Sequence, residues 1–255
     1  MAKKEFPGIH FYDQDFVDLY DQTWAWMEEY MQIGGEKSGL QKSFFNDPAS
    51  GTVNQLEACF NTFFMVYSNK KFAANPQLDN FYQKQEENGA IRSAYFVEDG
   101  SPVLTPENPE GLALPIFSWA EYNLYHKIGN KKRIKEVMPI LEKYFEWLDS
   151  NFKHDNGLYA VPLAATATPS TPRAAATYFV DFNAAQAVNA LYMSELGEIL
   201  NDKEISFKYK RHYFSLKTKI NQQFWNEEDG LYYDLDDKLQ QVRVKSIATF
   251  WTLLA

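Results

Sequence analysis

Glu86-Glu87-Asn88-Gly89-Ala90-Ile91, His154-Asp155-Asn156-Gly157-Leu158-Tyr159 and Glu227-Glu228-Asp229-Gly230-Leu231-Tyr232 are three copies of one turn. Each follows an aromatic-rich amphipathic stretch. Their glycines stand at 89, 157 and 230, intervals of 68 and 73 residues, which is the mark of a repeated supersecondary unit. Asn/Asp-Gly supplies the positive φ that ends a helix, and the apolar pair after it opens a short extended segment. The chain therefore reads as stacked helical hairpins.

Working outward from these turns, 3.6-residue periodicity predicts eight helices, over 13–32, 53–68, 76–86, 112–128, 131–151, 181–200, 204–225 and 244–254. The second, fourth, sixth and eighth carry few charges; Val53 to Ser68 contains only Glu57, and Leu114 to Tyr125 only Glu121. Helices apolar on all sides belong inside. The alternate helices are one-sided, and the pattern predicts an outer layer around an inner one. A closed double ring of six such hairpins needs about 420 residues, so 255 residues accommodate four. The predicted fold is an all-α, partial (α/α)6 toroid forming one domain over 1–255. The apolar run Ile247 to Ala255 has no cap, which predicts a truncated chain or an open ring whose exposed edge self-associates.

Composition narrows function. A formal net charge of -9 with scattered Lys and Arg argues against a nucleic-acid partner and against an anionic membrane surface. No run is long and apolar enough to span a bilayer, and the basic start lacks the apolar core of a signal peptide. The single cysteine, Cys59, allows no internal disulfide, so a cytoplasmic location is expected. Four histidines without ligand spacing predict no metal site, and no motif calls for a cofactor. His126 and His154 read as surface or packing residues, and the acidic tract Asp229 to Asp237 as a turn rather than a calcium loop.

Three inner-layer features stand out: Phe60-Asn61-Thr62-Phe63-Phe64, Phe117-Ser118-Trp119-Ala120-Glu121, and the loop from Ala164 to Arg173 leading to Asp181. Isolated polar groups on apolar helices need a partner or a solvated pocket. Glu121 therefore either faces the ring's cavity or bonds a neighbouring helix. Asp181 is either a ligand or an ordinary helix N-cap.

Leu78-Asp79-Asn80-Phe81-Tyr82-Gln83-Lys84-Gln85 with Asn88-Gly89, Pro115-Ile116-Phe117-Ser118-Trp119-Ala120-Glu121, Thr171-Pro172-Arg173 and Trp225-Asn226-Glu227-Glu228-Asp229-Gly230-Leu231-Tyr232-Tyr233-Asp234 resemble, in order and spacing, the six-hairpin glycosidases. These are the mannosylglycerate-hydrolase-like group related to glycoside hydrolase family 63 and, more distantly, to trehalases. The resemblance covers the chain from about residue 40 and implies inverting hydrolysis of small α-linked glucosides by two carboxylates, one acid and one base. It implies a small sugar or oligosaccharide as partner and Phe60, Asn61, Gln85, Trp119, Glu121, Arg173 and Asp181 as substrate-side residues. The family's acid lies in a Ser-Gly-Met-Asp-Asn-Ser/Thr-Pro-Arg loop; aligning from Arg173 puts that Asp on Pro169. The family's Trp-Asp-Ser/Thr helix reads Phe60-Asn61-Thr62, its Arg-Glu pair reads Arg92-Ser93, and its base-bearing hairpins would lie past Ala255. The resemblance thus predicts no catalytic residue in this chain: an inactive glycosidase relative, or a carbohydrate-binding or structural pseudoenzyme.

Overall fold

The computed structural model describes residues 6–68 and 71–255. All three repeated turns adopt the left-handed backbone that their glycines permit, with φ of +100° at Gly89, +80° at Gly157 and +61° at Gly230. Asparagine side chains close them: Asn88 Oδ1 accepts from Ala90 N, Asn156 Oδ1 from Leu158 N and Asn226 Oδ1 from Asp229 N, each at 2.9 Å. Close packing against backbone adds a second requirement for glycine at the first turn, whereas at the second the flexible end of a lysine side chain is the neighbour. A Cβ on Gly89 would stand 2.4 Å from the Lys143 carbonyl oxygen, and one on Gly157 would stand 2.5 Å from Lys219 Cε.

Before and between the turns run α1 (Gln14–Glu29), α2 (Gln55–Met65), α3 (Asn75–Tyr82), α4 (Phe117–Ile128), α5 (Lys131–Phe152), α6 (Val180–Leu200) and α7 (Lys203–Gln223). A 3-10 helix, Ile247–Leu254, ends the chain. Starts and stops follow local chemistry. Asp13, Asn130 and Asp202 cap α1, α5 and α7 by accepting from Asp15 N, Arg133 N and Ile205 N. Gly129 ends α4 and Asn201 ends α6, both left-handed, at φ of 72° and 61°.

Several helix ends, and the type of the last segment, differ from the periodicity. α2 starts later because β3 (Thr52–Asn54) pairs with β4 (Ala94–Phe96). α3 stops at Tyr82 rather than near residue 86. α4 starts at Phe117 because Pro115 holds the preceding residues extended. The last segment is 3-10 rather than α-helical: β-branched Ile247, Thr249 and Thr252 weaken α propensity, and Thr252 Oγ1 donates back to Thr249 O at 2.7 Å. Short two-stranded ribbons decorate the loops: β1 (Met31–Gln32) with β2 (Phe44–Phe45), β5 (Trp225–Asn226) with β6 (Leu231–Tyr232), and β7 (Asp234–Leu235) with β8 (Gln241–Val242).

The inner helices α2, α4, α6 and the terminal 3-10 helix pack side by side in chain order, while α3, α5 and α7 wrap them from outside. The result is the predicted partial toroid of four hairpins. α6 is its axle, buried on every side from Val180 to Ala190. It meets α7 closely because Gly197 carries no Cβ; one there would stand 2.8 Å from Ser206 N. Ser194 Oγ donates across this contact to Ser206 O at 3.0 Å. In the eighth helix Ile247, Phe250, Leu253 and Leu254 face solvent, the exposure expected of an open edge and not the burial expected of an inner helix. Among the described residues no helix is long and apolar enough to cross a membrane.

Candidate functional site

The inner helices present one continuous aromatic surface. On α2, Phe60 and Phe63 meet edge-to-face at 5.7 Å; both reach Trp119 of α4, at 6.2 and 4.9 Å between ring centroids. Trp119 stacks on Tyr192 of α6 at 6.2 Å with 10° between planes, and Tyr122 of α4 closes the group 4.8 Å from Tyr192. His126 packs on Tyr122 at 4.3 Å. Phe60 remains 38% exposed, and Trp119, Tyr122 and Tyr192 are half-buried. Helical geometry selects these residues, because positions three apart share a face: Phe60 with Phe63, and Trp119 with Tyr122. Rings open on one side and backed by protein suit the apolar face of a sugar.

The structure joins Phe60 and Trp119 as the sequence predicts and directs the other five elsewhere. Asn61 lies about 100° around the helix from Phe60. It turns to a crevice of ≈ 10 Å³ beside Gln77 and Asn80 of α3, too small for a sugar. Gln85 is a brace for the first repeated turn, its Nε2 donating to Gly89 O at 3.1 Å and to Ile140 O at 2.8 Å.

Glu121 points away from the aromatic surface, about 200° around α4 from Trp119. It is fully buried and receives Arg133 Nε at 2.9 Å, Arg133 Nη2 at 2.7 Å and the Tyr82 hydroxyl at 3.1 Å. Arg133 also pairs with Asp79 at 3.0 Å. The group rivets α3, α4 and α5 together. Burial pushes the Glu121 carboxyl above the usual carboxylate range, and the guanidinium of Arg133 opposes that shift. Of the two readings left open by the sequence, the inter-helix bond is the one the geometry places.

Arg173 and Asp181 do meet, but in the interior. Arg173 is fully buried and its guanidinium is saturated. Nη2 bonds Asp181 Oδ2, Thr166 Oγ1 and Thr168 Oγ1 at 3.0, 3.0 and 2.8 Å; Nη1 bonds Asp234 Oδ2 at 3.1 Å; Nε bonds Thr171 Oγ1 at 2.9 Å. Burial alone would lower the Arg173 pKa, yet Asp181 and Asp234 hold it above its ordinary value. Asp181 is no N-cap, since Phe179 holds that position; its carboxylate sits in the first turn of α6 and also accepts from Ala167 N at 3.0 Å. Asp234, whose carboxyl is pushed up by burial, accepts from Val180 N at 2.8 Å. This knot clamps the loop of residues 160–179 onto the α6 N-terminus. Sequence reasoning missed Asp234 as its third member, although Trp225 to Asp234 carried the resemblance.

Pro169 occupies the expected acid position on the exposed part of that loop. The two nearby carboxylates, Asp181 and Asp234, are both held by Arg173. Arg92, lacking the glutamate that follows it in the family pattern, pairs with Glu86 at 2.6 Å and Glu110 at 2.8 Å. Among the described residues no three His, Cys, Asp or Glu side chains gather as a metal site.

An inner ring of helices wrapped by an outer one, with aromatic rings on the inner surface, defines the class of six-hairpin glycosidase folds. The family model of the mannosylglycerate hydrolase MGH1-like glycoside hydrolase domain matches residues 67–255, most of the chain, and the chain belongs to that family. An uncharacterized protein of Borreliella burgdorferi is 44% identical over 257 residues; the match takes in all of this chain and 54% of the relative, so the chain spans about half its length. Among solved structures, the GH63 mannosylglycerate hydrolase from Thermus thermophilus in complex with glucose superposes with a TM-score of 0.67 at 13% identity, over 91% of this chain and 70% of its own. The rhamnosidase from Klebsiella oxytoca with rhamnose bound gives a TM-score of 0.71 at 15% identity, over 99% and 46%. At such identities these likenesses speak for the fold alone.

Proposed function

We propose that this chain is a sugar-contacting domain of an inverting-glycosidase type that recognises small α-linked glucosides through its aromatic surface and does not hydrolyse them by itself. One observation carries the reading: at the loop that bears the acid in the resembled family, Pro169 has no proton to give, and Asp181 and Asp234 are bound to Arg173. A general acid needs a proton free to move toward the leaving oxygen, and a carboxylate locked in an ion pair cannot supply one. Loss of a positioned acid lowers rates by about 10²–10⁴-fold, and loss of the base compounds it.

Recognition needs less. Phe60, Trp119 and Tyr192 are only partly exposed, so a glucose-like ligand binds with millimolar affinity, about -4 kcal/mol. The test has two arms. Aryl α-glucosides and glucose disaccharides are incubated with this chain and, in parallel, with the Borreliella burgdorferi relative. Turnover by this chain above a heat-treated control would overturn the inactive reading. Ligand titration by NMR checks recognition: shifts that are equal in wild type and Trp119→Ala would remove the aromatic surface from the proposal.

A further inference from the structure

Helices α1 and α7 each leave an aromatic stripe in solvent, and the side chains beside the two stripes differ in charge. On α1, Trp24 and Met27 are buried while Phe16, Leu19 and Trp26 are 57%, 53% and 46% exposed. Within the helix Phe16, Leu19 and Trp26 are spaced by three and seven residues and so share one face. Asp15, Asp18 and Glu29 flank this face, all exposed, and among the described residues none of the three forms an ion pair.

On α7, Phe207 and Phe214 lie seven residues apart on one face and are 60% and 54% exposed. Lys203, Lys210 and Arg211 surround them, also exposed and without an ion pair among the described residues, and outnumber the exposed acid of this stretch, Glu204. Lys217 ties this edge to the terminal 3-10 helix by donating to Ala255 O at 3.0 Å, and Phe250 of that helix adds a further exposed ring. The remaining cation on this side of α7, Lys208, is already engaged with Glu142 and Glu146 of α5.

We propose that the acidic α1 edge of one molecule docks on the basic α7 edge of a second copy, giving head-to-tail association. Charge decides the pairing. An α1–α1 contact would bring Asp15, Asp18 and Glu29 against their equivalents, and an α7–α7 contact would oppose Lys203, Lys210 and Arg211; only the mixed contact sets opposite signs around the two aromatic stripes. Because the two faces differ, each copy keeps one of each free after docking, and growth does not stop at a dimer.

Sedimentation of the 255-residue chain over a range of concentrations tests this. The expected result is a mean mass that rises past two copies and falls back at about 0.5 M salt, where exposed charges are screened. Two charge-reversal variants sharpen it: Asp15→Lys/Asp18→Lys/Glu29→Lys, and Lys203→Glu/Lys210→Glu/Arg211→Glu. All six positions are exposed, so circular dichroism should show each variant folded. Each alone associates about tenfold more weakly or worse. Mixed in equal amounts they recover association, since the reversed α1 now fits the reversed α7. A wild type of single-chain mass at every concentration, association unchanged by either reversal, or a mixture that fails to recover would overturn the proposal.

Discussion

The aromatic surface and the Arg173 knot lie in the same inner layer and differ in what their side chains are free to do. In the knot, every N–H of a buried guanidinium has an acceptor, and both carboxylates also receive backbone N–H groups. Nothing there can turn to a ligand without leaving a buried charge unpaired. The aromatic rings pack edge-to-face or stacked on one another and stay partly exposed, so a ligand can be added at no such cost. Titratable residues in a glycosidase fold are therefore no guide by themselves to its chemistry; their partners decide.

The largest test of this contrast is Arg173→Ala, which strands Asp181 and Asp234 in the interior. A loss of about 3–5 kcal/mol in urea unfolding is expected, enough to threaten the native state. A variant as stable as wild type would show that the knot does not hold the loop.

Glu121→Gln should be milder, about 2 kcal/mol, because Gln keeps an acceptor for Arg133 while losing the charge. Its pH dependence has a definite sign. Burial raises the folded-state carboxyl pKa above the ordinary value of 4.5, so the folded protein binds this proton more tightly than the unfolded chain. The associated stabilisation is complete below the ordinary pKa and is lost as pH rises through the folded one. The gap between wild type and Glu121→Gln should consequently be wider near pH 4 than near pH 7. A gap that widens toward neutral pH would mean that Arg133 outweighs burial.

The smallest stability effect belongs to Trp119→Ala, about 1–2 kcal/mol, since the indole is only half-buried. Here the ligand readout matters more: chemical-shift changes on glucose addition should vanish while unfolding moves little. If stability falls as far as for Arg173→Ala, the ring is core and the contrast between the two regions fails.

Sequence by itself determined the hairpin repeat, the inner and outer layers and seven of the helices to within a few residues, because turn glycines and helical periodicity are local properties of the chain. It also contained more about the site than residue type suggested. Phe60 and Asn61 cannot share a helix face, nor can Trp119 and Glu121, whereas Phe60 with Phe63 and Trp119 with Tyr122 must. What only the tertiary structure decided was pairing across long separations: Arg173 with Asp234, 61 residues away, Trp119 with Tyr192 on another helix, and Gln85 with the Ile140 carbonyl. A buried charge takes whichever opposite charge the packing of whole helices brings within reach. No local pattern encodes that distance, so the sequence alone does not say that Arg173, Asp181 and Asp234 hold the loop before α6 in place.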